Sequence, residues 1–227
     1  MTPSGFLHRR DGVACSPVAF SSAILSDEHL GDILALYGTV RATIRADLFA
    51  EEADGFFPDH LARIGRILGL FAEDTLIAYG VLGLPGPGDV NFADMIDLAE
   101  PQRQGVAHID GAAVCPEWRG NGVHRVLVAW RLERAREAGR SIALSTAAPE
   151  NLPCVGNLLA EGFDIHALIQ KFGGWRYVFR RDLDTAPSRT DGGIWAEVSD
   201  MDTQRDLLRR GFVGRRLDGH RVSYALR

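Results

Sequence analysis

The segment Val114-Cys115-Pro116-Glu117-Trp118-Arg119-Gly120-Asn121-Gly122-Val123-His124 constrains this chain more than any other. Before it, Gly105 to Cys115 reads as a strand, which Pro116 stops. After it, a helix is predicted from near Gly120 to about Ala138. Val123, Val126, Leu127, Trp130 and Leu132 are its apolar residues and Gly139 ends it. Glycines in a strand-to-helix loop let the backbone take positive φ and approach a ligand closely. The first amides of the helix lack internal partners and point outward, and the helix dipole adds positive potential there. Such a loop is an anion site, and its natural guest is a phosphate or pyrophosphate.

The residues narrow the choice of phosphate. A Walker loop ends in Gly-Lys-Ser/Thr, which this loop lacks. A dinucleotide loop needs G-x-G-x-x-G, and Arg125 stands where the third glycine belongs. With 30 acidic against 25 basic residues and a net charge of −5, the chain lacks the basic surface a nucleic-acid backbone requires. Arg131, Arg134, Arg136 and Arg140 alternate with Glu133 and Glu137, which predicts a solvated, salt-bridged helix face. Cys15, Cys115 and Cys154 form no CxxC pair, so neither a metal site nor a disulfide framework is expected and a reducing compartment fits. No apolar run reaches the roughly 20 residues of a membrane helix. Arg9 and Arg10 precede a stretch broken by Asp11, Gly12 and Pro17, which does not read as a signal peptide. A cytoplasmic protein with no membrane partner is the expectation.

Around the loop the chain reads as a mixed α/β domain. Residues 1–16 show no period and are expected to be a loose lead-in. Pro17 to Leu25 reads as a strand, and Ser26-Asp27-Glu28 starts a helix through Leu30, Ile33, Leu34, Leu36, Tyr37 and Val40. Pro58 is expected to open a second helix carrying Leu61, Ile64, Ile67 and Leu68. A hairpin follows, with Glu73-Asp74 as its turn and Thr75 to Leu84 as its second strand. Residues 85–104 form a long insertion with a short helix around Phe92–Leu98. Ser141 to Thr146 is a buried strand, Pro149-Glu150-Asn151 begins a helix ending at Gly162, and Phe163–Phe172 with Trp175–Arg181 make a hairpin. This order implies one parallel strand pair in an otherwise antiparallel sheet. Residues 17–183 are taken as the main domain and 184–227 as a C-terminal extension of strand, helix and hairpin. Leu207-Leu208-Arg209-Arg210-Gly211-Phe212 is similar to Leu158-Leu159-Ala160-Glu161-Gly162-Phe163. Either a partial duplication or two helix ends with glycine stops accounts for it.

The run V-x-P-E-W-R-G-N-G resembles motif A of the GNAT acyltransferase superfamily, Q/R-x-x-G-x-G/A, with Arg119 and Gly122 matching. Thr146-Ala147-Ala148-Pro149-Glu150-Asn151, then Cys154, then Gly162-Phe163, resembles its motif B. The resemblance covers most of residues 26–181. It implies a GNAT fold in which the two strands leading into the motifs pair at one end and splay at the other, with the pantetheine of acetyl-CoA in the wedge. Carried over, Val114 and Cys115 offer backbone groups to pantetheine. Arg119, Gly120, Asn121, Gly122, Val123 and His124 wrap the pyrophosphate, and Asn151 bonds the pantetheine arm. Two positions depart from the pattern. His124 replaces a small residue, as in relatives with an R-G-N-G-L-Q loop, whose downstream K-Y-G-G-x-x-R-Y is similar to Lys171-Phe172-Gly173-Gly174-Trp175-Arg176-Tyr177. Leu158 stands where many members carry a tyrosine acid for the leaving thiolate.

Acylation of an amine needs a proton acceptor and donors for the thioester oxyanion. On the strand before the loop His108, Asp110, Ala112 and Val114 share a face by period two, so His108 and Asp110 are both expected to face the wedge as candidate bases. A strand face with mere solvent access is the plainer alternative. Cys115 reads as a small core thiol and Tyr177 as a packing group. Trp118 stacks on the donor or caps the core. Asp94 and Asp97 bind a cationic substrate or are simply solvated. The expected activity is acetyl-CoA-dependent N-acetyl transfer to a small-molecule or peptide amine, directly within a ternary complex and without metal. A non-catalytic CoA-binding module is the alternative, and a nucleotide-dependent oxidoreductase a third class. A homodimer is left open.

Overall fold

A computed structural model describes residues 3–10, 17–187 and 192–227. Cys15 and most of the interrupted stretch after Arg10 lie outside them. Among the described residues the chain builds eleven strands: β1 (Gly5–Leu7), β2 (Val18–Ile24), β3 (Gly65–Ala72), β4 (Thr75–Gly83), β5 (Val106–Val114), β6 (Ile142–Ala147), β7 (Asp164–Lys171), β8 (Gly174–Asp182), β9 (Ile194–Glu197), β10 (Phe212–Asp218) and β11 (Arg221–Leu226). Five helices accompany them: α1 (Leu30–Arg41), α2 (Phe56–Asp59), α3 (Val123–Glu137), α4 (Leu152–Ala160) and α5 (Met201–Arg209). The strands form one sheet in the order β1-β2-β3-β4-β5-β6-β8-β7-β10-β11-β9. Among the described residues only β5 and β6 run parallel, with α3 as their crossover. This is the mixed, mostly antiparallel sheet with helices that the sequence predicts.

Two apolar clusters sandwich the central strands. One joins Leu127 and Val128 of α3 and Val155 of α4 to Leu70, Leu82 and Ile109. The other joins Ile33, Leu36 and Val40 of α1 to Ile67, Tyr79, Val81 and Ala113. Three expectations need correction. The second helix does not continue to Leu68: α2 gives way to a π-helical turn over His60–Ile64, and Ile67 and Leu68 lie in β3. A short apolar run suits a buried strand as well as a helix, and here eight pairs with β4 decide it. Glu73 and Asp74 take positive φ of 49° and 60°, the handedness that a two-residue hairpin turn demands. The lead-in is not wholly loose, because Gly5–Leu7 pairs with β2 and Leu7 is buried in the main core. Arg131 is not on a solvated face; it is 1% exposed.

The C-terminal extension repeats an architectural unit. β6-α4-β7-β8 and β9-α5-β10-β11 share their element order. The capping side chains Asn151 and Asp200 stand 49 residues apart, as do the helix-ending glycines Gly162 and Gly211, at φ 83° and 88°. The sheet order β6-β8-β7 is mirrored by β10-β11-β9. Gln204 of α5, fully buried, ties the two units together. Its Oε1 accepts the Tyr177 and Tyr224 hydroxyls, and its Nε2 donates to the Glu197 (2.9 Å) and Val198 (3.1 Å) carbonyls.

Candidate functional site

The parallel pair holds together only at Val106–Ile142, Ala107–Ala143 and His108–Leu144. Beyond it β5 follows β4 and β6 follows β8, so the two strands part. The Ser145 hydroxyl donates to the Ile109 carbonyl (2.7 Å) at the crotch. A bulge drives the separation. Gly80 pairs with Ala112 and Leu82 with Ile109, so β5 spends one residue more than β4 around Asp110-Gly111. Arg131 reaches in from α3 to that point and donates through Nη1 to the carbonyls of Val81 (3.3 Å) and Asp110 (2.8 Å). Burial lowers its pKa to about 10. The wedge encloses a cavity of about 160 Å³, lined by β5, β6, the first turn of α3, α4 and the segment between α1 and α2.

The glycine loop leads into α3 as its residue types dictate. Gly120 and Gly122 have φ of 81° and 73°, and Gly122 has open space around it. No side chain caps α3, and its first turn carries no acid. Its leading amides therefore remain available to an anion. Arg119 is turned inward, donating to the Val114 carbonyl (3.2 Å) and the Thr43 hydroxyl (3.0 Å), and so braces the loop. The Cys115 amide donates to the Ile77 carbonyl (2.9 Å), and its thiol packs beside the core. Trp118 is buried in that core. His124 lines the cavity; burial, then the Arg131 charge, lowers its imidazole to about 3, and its Nδ1 has no hydrogen-bond partner among the described residues. Asn151 also lines the cavity while its Oδ1 accepts the Cys154 amide (3.3 Å) as the cap of α4.

The N-terminal segment lies across this loop, which the sequence did not suggest. The Asn121 side chain accepts the His8 amide and donates to the His8 carbonyl, both at 2.8 Å. The Arg10 amide donates to the Glu117 carbonyl (2.7 Å). The Arg10 guanidinium rests on Gly120 so closely that a Cβ there would collide with it.

The two strand-borne candidates separate. Asp110 lines the cavity; its Oδ1 accepts the Gly111 amide (3.0 Å), and burial raises its pKa. His108 does not. The insertion folds Phe92 over it, rings stacked at 4.1 Å, and His108 Nε2 accepts the Phe92 amide (3.0 Å). Burial, aided by His60 and Arg140, lowers its pKa to about 3. The period-two expectation placed both in the wedge, but Phe92 occupies the space between His108 and the cavity. The insertion acids are elsewhere engaged or strained: Asp94 pairs with Arg103, and Asp97 takes φ 51°. Tyr177 is buried against Gln204, a packing and bonding role.

Glu52 is the site residue that the sequence concealed. In the run Glu51-Glu52-Ala53-Asp54 an acid reads as solvated loop. Its carboxylate instead enters the cavity over Gly111, where a Cβ would lie 2.5 Å from Oε1. Burial, then the charge of Asp110, pushes its pKa up to about 8. Its amide donates to the Tyr37 hydroxyl (3.1 Å). Arg176 holds the preceding segment in place from β8, donating to the carbonyls of Asp47 (3.0 Å), Phe49 (3.4 Å) and Phe172 (3.1 Å). That is the structural use of the arginine in Lys171–Tyr177. Leu158 lines the cavity's α4 side.

Comparison with known proteins converges on one family. The fold matches an N-acetyltransferase from Staphylococcus aureus Mu50 with a TM-score of 0.56 at 15% identity, covering 72% of this chain and 98% of that one. The structure of yncA from Salmonella typhimurium with its cofactor acetyl-CoA matches at 0.56 and 14%, covering 76% and 99%. The ribosomal-protein-S18-alanine N-acetyltransferase from Escherichia coli matches at 0.55 and 11%, covering 76% and 99%. At these identities the likeness is one of fold. No curated protein matches. The model of the acetyltransferase (GNAT) family matches residues 33–163, more than half of the sequence, and the chain belongs to that family.

Proposed function

We propose that this protein is an acetyl-CoA-dependent N-acetyltransferase that acts on a small-molecule or peptide amine by direct transfer in a ternary complex. The observation that carries the reading is a single cavity at the strand splay, which the glycine-loop helix and a carboxylate both reach. The uncapped, acid-free start of α3 and the open space at Gly122 fit a pyrophosphate. The amides from Arg119 to His124 would hold it, with backbone groups at Val114 and Cys115 and the Asn151 side chain along the pantetheine arm. The donor supplies an activated acetyl thioester. The protein's own part is to orient the amine against it, exclude water and place negative charge beside the attacking nitrogen. Asp110 supplies that charge from β5, while His108 braces Phe92 behind the cavity wall. A volume of about 160 Å³ suits a small acyl group and the end of an amine chain.

Thiol release from acetyl-CoA against a panel of amines tests the proposal, with donor binding followed by calorimetry. Amine-dependent release is the expected outcome. Tight donor binding with no release from any amine would replace transfer by a CoA-binding regulatory role, the reading that Leu158 in the acid's place favours. Protection against heat unfolding by NAD(P) and not by acetyl-CoA would overturn both.

A further inference from the structure

We infer that Glu52 takes the proton from the attacking amine, with Asp110 beside it in the same cavity as a positioning carboxylate. The inference rests on the acetyl-transfer reading and names its acceptor: an amine that arrives as an ammonium. Glu52 and Asp110 come from different elements and enter one cavity on either side of the bulge glycine Gly111. The charge of Arg131 offsets Asp110 in part, but Arg131 and Arg176 spend donors on backbone carbonyls and neither forms an ion pair with Glu52 or Asp110 among the described residues. Tyr37, Phe49 and Tyr79 wall the same space with aromatic faces. An ammonium is the guest that relieves two adjacent carboxylates and tolerates aromatic walls.

The step balances without another reagent. An N–H bond of the ammonium breaks and an O–H bond forms on Glu52. The freed nitrogen lone pair attacks the acetyl carbon, the C–N bond forms, and the C–S bond breaks with its pair on sulfur. The second proton leaving nitrogen ends on the thiolate, and Glu52 returns its own to solvent. The groups facing Glu52 are Asp110 from β5, Tyr79 from β4 and Tyr37 from α1; His60 and Arg131 face Asp110 in turn. Burial raises Glu52 most and the Asp110 charge adds to it, so the basic form grows as pH rises through about 8.

The test is the pH profile of kcat/KM for wild type, Glu52→Gln and Asp110→Asn, with acetyl-CoA affinity measured in parallel. Glu52→Gln is expected to lose about 100-fold in kcat/KM while binding acetyl-CoA unchanged. Asp110→Asn is expected to move the rising limb down by about one pH unit, since removing a like charge favours ionisation. The amine's own titration cannot produce a shift that follows the enzyme variant. Glu52→Asp, with thermal unfolding alongside, separates chemistry from misfolding, and partial rescue is expected. Full activity in Glu52→Gln, or an unmoved limb in Asp110→Asn, would overturn the inference. Wild type without any amine-dependent turnover would remove the transfer reading itself, and this inference with it.

Discussion

Replacing Gln204 by leucine measures how firmly the C-terminal unit is joined to the rest. The side chain is fully buried and serves two tyrosine hydroxyls and three backbone carbonyls, those of Glu197, Val198 and Asp200. Leucine fills nearly the same volume and offers no polar atom. Each buried group left without a partner costs about 1–3 kcal/mol. One amide group is shared among three carbonyls, so these groups do not each lose the full amount. About 2–4 kcal/mol of destabilisation is expected, a fall in Tm of roughly 10 °C in a chain of this size. Urea titration gives the free energy, and the midpoint should fall without a change in slope. The decisive arm is the triple variant Gln204→Leu, Tyr177→Phe, Tyr224→Phe. Removing both sides of a bond costs less than removing one. The triple variant should therefore recover more than half of the loss apart from the three carbonyls. A single variant within 1 kcal/mol of wild type, or a triple variant worse than the sum, would refute the account.

Other outcomes follow from the site. His108 and His124 are neutral by burial, with folded pKa values near 3 against 6.5 in the unfolded chain. A depressed pKa means that the unfolded chain binds the extra protons, so their contribution is fully present above about pH 6.5 and is lost as pH falls toward 3. Glu52, raised, acts oppositely and loses its contribution as pH rises from about 4.5 to 8. Between pH 4.5 and 6.5 two histidines outweigh one carboxyl, so urea midpoints across pH 4–8 should rise to about pH 6.5 and fall above it, and a flat profile would contradict the burial. Arg10→Ala should weaken acetyl-CoA binding several-fold and flatten its salt dependence if the loop holds the pyrophosphate as proposed, because the guanidinium rests on Gly120; unchanged calorimetry at low salt would refute a phosphate contact. Arg176→Lys cannot serve three carbonyls in one plane, so the 47–52 segment should loosen and the amine KM rise with little change in donor affinity. Equal losses in both affinities would argue instead for global unfolding.

The glycine loop, its strand and its helix were legible because glycine, proline and apolar spacing act locally. Gly120, Gly122, Gly139 and Gly162 all take the positive φ that their positions suggested. Three things were not legible for one shared reason, that they depend on residues distant in sequence. The bulge at Asp110-Gly111 exists in the register between β4 and β5, not in either strand alone. Phe92 screens His108 from sixteen residues upstream. Glu52 becomes a buried acid only because Arg176, on another strand, pins the segment before it. Arg131 illustrates the same limit: charge alternation on a helix predicts solvent, unless a neighbouring sheet offers carbonyls that nothing else can reach.

The mirrored strand order carries a consequence for assembly. Without residues 194–227, β7 would present an open row of backbone donors and acceptors, the surface on which a second molecule could dock. Here β10, from the same polypeptide, lies beside β7 and pairs with it at Gly214–Ile165, so its local concentration does not fall when the protein is diluted. The chain in effect carries its own lateral neighbour. Among the described residues the two ends of the sheet are β1 and β9, three and four residues long, short templates for an extended partner.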